Sequence, residues 1–227
     1  MFMSRVSARQ FPLSAALRPL RAPLDGVEPY PGVRALWERA TLRQVGDPVF
    51  GVEALVVHVA QHSGTEDAMA LMQAGRASWH WIVPAPGEAQ HGKFIWSAAP
   101  EGRAARHLPP RLKHPAIAGG RPRLNHATLS VLLAAGPTRP GTGPSRWQTD
   151  RLAHLVRHLW ARYPALVTVI CRSEIDPDTP AGPLDWDALC RLTTGAAPTD
   201  LPPLVAQATP LALLDRPGRV EPALRTN

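Results

Sequence analysis

His58 closes an apolar run formed by Leu55, Val56 and Val57 and continued by Val59, and the chain then turns polar through Gln61, His62, Ser63 and Gly64. An unbroken aliphatic run is what a strand covered on both faces requires. A histidine at the end of such a strand stands where buried backbone opens into a loop. There a neutral imidazole can ligate a metal, exchange a proton, or simply satisfy its hydrogen bonds inside the core. A second group is Ser78 and His80, placed with Ile82 on one face of a strand expected over 77–84, with Trp79, Trp81 and Val83 on the other. A third follows the short apolar run 166–170: Cys171, Arg172, Glu174, Asp176 and Asp178.

The chemistry open to such groups is metal-assisted hydrolysis, which needs three protein ligands, a bound water and a group to take its proton. His58 is the best-placed ligand candidate, with Cys171 or Asp178 as possible partners. His154 and His158 stand four apart on a helical pattern, but a solvated helix face accounts for them. His62 is also four residues from His58, in a segment expected to be loop. There is no Gly-x-Ser-x-Gly elbow, and the glycines at 141 and 143 lack the lysine of a phosphate loop. Ser78 and His80 share a strand face, which does not make a nucleophile and its base.

The elements that must position these residues are legible in outline. Acidic residues after Thr65 and a glycine at 75 predict a helix over 66–74 with Thr65 as its cap. A third strand is expected around 93–97. Residues 147–164 carry Leu152, Leu155, Val156, Leu159 and Trp160 at helical spacing, ending at Pro164. The run 166–170 predicts a short buried strand, and 185–192 a final helix capped by Asp185. The segment from Arg103 to Arg123 reads as a basic insertion loop beside the cleft. Residues 1–49 read as an arm with a short helix over 33–40, residues 50–192 as the body, and residues 193–227 as a proline-containing tail.

Composition bounds the rest. The chain has 227 residues, 44% of them hydrophobic, enough for one core, while 26 prolines imply much extended or loop structure. The net charge of +7 is almost all arginine, since only Lys93 and Lys113 are lysine. No basic run with interleaved aromatics and no zinc-finger spacing accompanies it, so nucleic acid is not the expected partner. Two cysteines make no redox or disulfide framework. No stretch is long and apolar enough to span a bilayer, and no signal-peptide core is evident, so a cytoplasmic location is expected.

Taken in order, Val56, Val57 and His58, then Ser78 to Val83, then Ser173 to Pro177 and Gly182 to Trp186, resemble the zinc-dependent type 2 N-acetylmuramoyl-L-alanine amidases, the family that includes peptidoglycan recognition proteins. The resemblance covers roughly 50–192. It implies a single α/β domain, a central mixed sheet flanked by helices, with extended terminal arms. It places His58 at the first zinc ligand, Ser78 and His80 on the Ser-x-His strand, His107 beside the substrate cleft and Asn125 at the start of a further strand. The same alignment puts Leu132 at the family's acidic position, Arg172 at the second ligand and Pro180 at the third.

A guanidinium repels a divalent cation, so the resemblance implies an amidase-like pseudoenzyme. It would keep a cleft for a peptidoglycan-derived or other acidic peptide and need no cofactor. An active zinc amidase with shifted ligands, or a scaffold whose terminal arms bind a protein partner, are the alternatives.

Overall fold

The computed structural model describes residues 10–14, 18–19, 24–32, 40–42, 51–88, 90–91, 94–136, 143–180 and 182–195. The strands are β1 (Gln10–Pro12), β2 (Val27–Pro29), β3 (Thr41–Leu42), β4 (Ala54–Val59), β5 (Trp81–Val83), β6 (Ile95–Ser97), β7 (Arg103–Ala104), β8 (Thr128–Leu133) and β9 (Thr168–Cys171). The helices are α1 (Thr65–Gln73), α2 (Arg146–Arg162), the single turn α3 (Arg172–Ile175) and α4 (Trp186–Thr194). Most of the helix expected over 33–40, and the tail from 196 onward, lie outside the described residues.

The aliphatic run around His58 is the axis of the sheet, whose order is β1-β9-β4-β8-β5-β6-β2. β4 runs parallel to both β8 and β9, and β5 parallel to β8. β1 joins β9 antiparallel, β6 joins β5 antiparallel, and β2 runs parallel to β6. This is the mixed sheet with flanking helices that the sequence reading expected. The N-terminal segment contributes strands to both edges, and Phe11 and Leu13 are buried there. Both edge strands end in proline, Pro12 and Pro29. Proline is tolerated at an edge because no further ladder donor is needed.

Strand alternation sends the odd-numbered residues of β4 one way and the even-numbered ones the other. Leu55 and Val57 join Leu129, Val131 and Val169 under α2 and α4, where Leu152, Leu155, Leu159, Trp160, Trp186 and Leu189 are buried. α2 starts with a reciprocal cap: Ser145 Oγ accepts the Gln148 N–H at 3.2 Å, and Gln148 Oε1 accepts the Ser145 N–H at 3.0 Å. Gln148 also donates to the carbonyls of Val83 and Ala134, which ties the helix to the sheet's C-terminal edge. Asp185 caps α4 through the Ala188 N–H.

The opposite face is covered in two patches. Ala54, Val56 and Ile170 lie under Leu108, Ile117, Leu124 and Ile175, so the basic segment is packed over the sheet. Ile82 and Leu132 lie under Ala68, Met69 and Met72 of α1. The cap of α1 differs from expectation. Gly64 is the N-cap and Thr65 the first helical residue. Glu88 accepts the Thr65 N–H at 2.6 Å and the Thr65 hydroxyl at 2.7 Å. A carboxylate delivered by another loop thus replaces the local cap, a substitution that spacing along the chain does not reveal.

Candidate functional site

Three adjacent parallel strands place one row of side chains on the α1 side of the sheet at its C-terminal edge. His58 on β4 pairs in register with Leu132 on β8, and Leu132 pairs with Ile82 on β5. On the other flank Val57 pairs with Cys171, so Arg172, the next residue, falls beside His58. The row therefore reads Ile82, Leu132, His58, Arg172. Beyond it opens a cleft of about 170 Å³ with an apolar wall that includes Val59, Ala68, Leu71 and Trp79. Thr179, Pro180 and Gly182 bring the loop after α3 to its rim. A ligand pocket commonly holds ~300–1,000 Å³, so this one admits a single small group, with the rest of any larger ligand lying outside.

Hydrogen-bond polarity orients His58. The Thr128 hydroxyl donates to the Leu124 carbonyl at 2.9 Å, so its oxygen accepts from His107 Nε2 at 3.0 Å. His107 Nδ1 is then an acceptor, and His58 Nε2, 3.1 Å away, donates to it. The remaining lone pair, on His58 Nδ1, is the one left for the cleft. Burial, and secondarily the Arg172 guanidinium, push the His58 pKa down to about 3. The imidazole is neutral at physiological pH and a weak base.

Arg172 is held by its own turn. Its Nη2 donates to Asp176 Oδ2 at 3.0 Å, and the same oxygen accepts the Thr179 hydroxyl at 2.9 Å. Burial opposes ionisation of Asp176, but the hydrogen bonds from Arg172 and Thr179 outweigh it and hold the carboxyl below its ordinary range. Asp176 thus orients Arg172 and compensates part of its charge.

The other sequence-predicted residues are placed as follows. Cys171 lines the cleft but belongs to the core cluster under α2 and α4. His107 supports His58 from behind. His80 is fully buried: its Nε2 donates to the Arg103 carbonyl at 2.8 Å and its Nδ1 accepts the Ser130 N–H at 3.0 Å. Ser78 Oγ accepts the Arg106 N–H, and Asn125 closes two hydrogen bonds with the Leu108 backbone. None of these four lines the cleft, and Asp178 is exposed outside it.

The strand expected over 77–84 is shorter than its pattern. The chain bends at His80, and only Trp81–Val83 pair as strand. Trp79 therefore packs in the same cluster as Ile82, against the alternation, with its ring 6.1 Å from that of His58. Trp79 and Thr179 are among the cleft residues that periodicity missed; for Trp79 the reason is that a bend between two aromatic residues leaves no trace in spacing.

No protein-family model matches the sequence, and no curated protein does. Solved structures do. A selenomethionine derivative of AmpD, an N-acetylmuramoyl-L-alanine amidase, aligns with TM-score 0.53 and 21% identity over 76% of this chain and 96% of that one. AmpDH3 from Pseudomonas aeruginosa, in complex with anhydromuramic pentapeptide, aligns with TM-score 0.53 and 22% identity over 65% of this chain and 61% of that one. The chain shares its fold with these two structures.

The Ph2119 endolysin of a Thermus scotoductus phage is a weaker match, with TM-score 0.44 and 16% identity over 68% of this chain and 90% of that one. Zinc, which the amidase resemblance implies, does not fit the donors present. Among the described residues no group of three His, Cys, Asp or Glu is placed to hold a metal. The Arg172 guanidinium and the aliphatic Leu132 flank His58, and the His107 ring beside it is spent on hydrogen bonds to His58 and Thr128.

Proposed function

We propose that this protein is an amidase-fold receptor that binds a peptide fragment of peptidoglycan without hydrolysing it. The row Leu132, His58, Arg172 carries the reading. Amide hydrolysis needs an activated water and a group to take its proton. The cleft wall holds no Asp or Glu among the described residues, and its imidazole is too weak a base. Binding makes smaller demands. His58 Nδ1 is an acceptor, Arg172 an oriented donor, and Val59, Ala68, Leu71 and Trp79 form an apolar seat for a small side chain such as that of alanine. The anhydromuramic pentapeptide held by AmpDH3 supports this choice of ligand class.

Isothermal titration of the folded protein with an anhydromuramyl peptide tests the reading, with chromatography of the mixture to detect cleavage. Binding without cleavage is expected, weakened about tenfold or more by Arg172→Met. Absence of binding, or turnover of the peptide with added zinc, contradicts it.

A further inference from the structure

From Gly102 to Thr149 the sequence contains no aspartate or glutamate. Within that stretch the segment between β7 and β8 turns Leu108, Ile117 and Leu124 into the core, with Leu112 and Ala118 packed against them, and leaves its cationic side chains on the outer face. Arg106, Arg111, Lys113, Arg121 and Arg123 are all exposed. Among the described residues none of them forms an ion pair; Arg106 and Arg121 instead donate to the backbone carbonyls of Gly75 and Ala118.

The segment is also anchored. Glu53 accepts the Ala118 N–H at 2.7 Å, Asn125 clasps Leu108, and the Arg123 N–H donates to the Pro110 carbonyl. Arg123 holds a left-handed backbone, φ 66°, which turns the chain back toward β8. Cations held on an anchored platform lose less freedom on meeting an anion than cations on a mobile tail. Among the described residues, Glu53 is engaged with the Ala118 N–H, and the charge of Glu174 acts on His114.

We infer that this platform is a docking surface for an anionic phospholipid bilayer, independent of what fills the cleft. Between the cations stand Pro109, Pro110, Leu112, the half-buried His114, Pro115, Ala116 and Pro122, with no hydroxyl, amide, Phe, Tyr or Trp side chain from Leu108 to Arg123. A nucleic-acid surface of this size carries aromatic or amide groups for the bases, whereas cations among small apolar side chains suit a headgroup layer. Guanidinium groups pair with lipid phosphate through two parallel hydrogen bonds.

The test is sedimentation of the full chain with phosphatidylcholine vesicles and with vesicles containing about one-third phosphatidylglycerol. Binding is expected only to the anionic vesicles and is lost at about 0.5 M salt. The triple change Arg111→Gln, Lys113→Gln and Arg123→Gln should weaken it about tenfold or more, while Arg146→Gln, Arg157→Gln and Arg191→Gln, an equal loss of charge elsewhere, changes it less than about twofold. Equal weakening by both triples reduces the effect to net charge and overturns the inference, as does failure to sediment with the anionic vesicles. Binding to a short DNA duplex in place of vesicles assigns the surface to nucleic acid and overturns it too.

Discussion

Nε2 of His58 lies 3.1 Å from Nδ1 of His107, and a single run of hydrogen bonds from His58 through His107 and Thr128 to the Leu124 carbonyl fixes which nitrogen each ring offers. This relay sets the chemistry of the cleft, because the imidazole that faces it is locked as a neutral acceptor.

A buried neutral histidine must make stability depend on pH. The unfolded His58 titrates near 6.5 and the folded one at about 3, so between these values the unfolded chain holds the extra proton. The stability this group contributes is complete above pH ~6.5 and is lost progressively as pH falls toward 3, on the order of 4 kcal/mol over that window. His114 and His154 are also lowered, by burial first, and add to the same slope. Urea denaturation from pH 7 to 4 should show a clear slope, shallower in His58→Asn. Equal slopes in the two proteins would mean that His58 is not protonated on unfolding.

Removing the cation should let metal in. Arg172→His with Pro180→Asp replaces two rim residues by zinc donors beside His58. Zinc titration should then show one tight site that the parent protein lacks. Cleavage should still require Leu132→Glu, because the register pairs that position with His58 and an aliphatic side chain there takes no proton. Stoichiometric zinc in the unaltered protein would refute this account of the cleft.

Gly182 controls the cleft rim. A Cβ there would lie 2.3 Å from Val59 Cβ and 2.5 Å from its Cγ1, atoms fixed on a β-branched strand residue. Gly182→Ala should destabilise the fold by about 1–3 kcal/mol through displacement of that loop. Peptide affinity should fall with it, read by thermal melting and titration side by side.

Glu88 accepts three hydrogen bonds, from the Thr65 N–H and hydroxyl and from the Ala85 N–H. Glu88→Ala leaves the Thr65 N–H and hydroxyl without their acceptor, while Asp67 still accepts the Gly64 N–H, at a cost of about 1–3 kcal/mol. Because Ala68 and Leu71 of that helix wall the cleft, hydrogen exchange should quicken across 65–73 before it changes in β4. Unchanged exchange in α1 would show that Glu88 is dispensable as a cap.

Legibility in the sequence followed the range of the interaction. The aliphatic run at 54–59, the helix later found as α2 with its apolar spacing, and the Asp185 cap were all readable, because each depends on neighbours within a turn or on strand alternation. The cap of α1 and the bend at His80 were not, since Glu88 and Ser130 reach them from other parts of the chain. His107 was readable as a residue near the cleft only through the amidase resemblance. That it stands behind His58 and fixes its tautomer depends on Thr128, twenty-one residues away.

The sequence by itself determined the residue types available at each strand end: one imidazole, one guanidinium and one leucine. Only the tertiary structure decided that these three stand side by side. Strand register brings together residues 58, 132 and 172, and register is set by pairing and packing across the whole sheet.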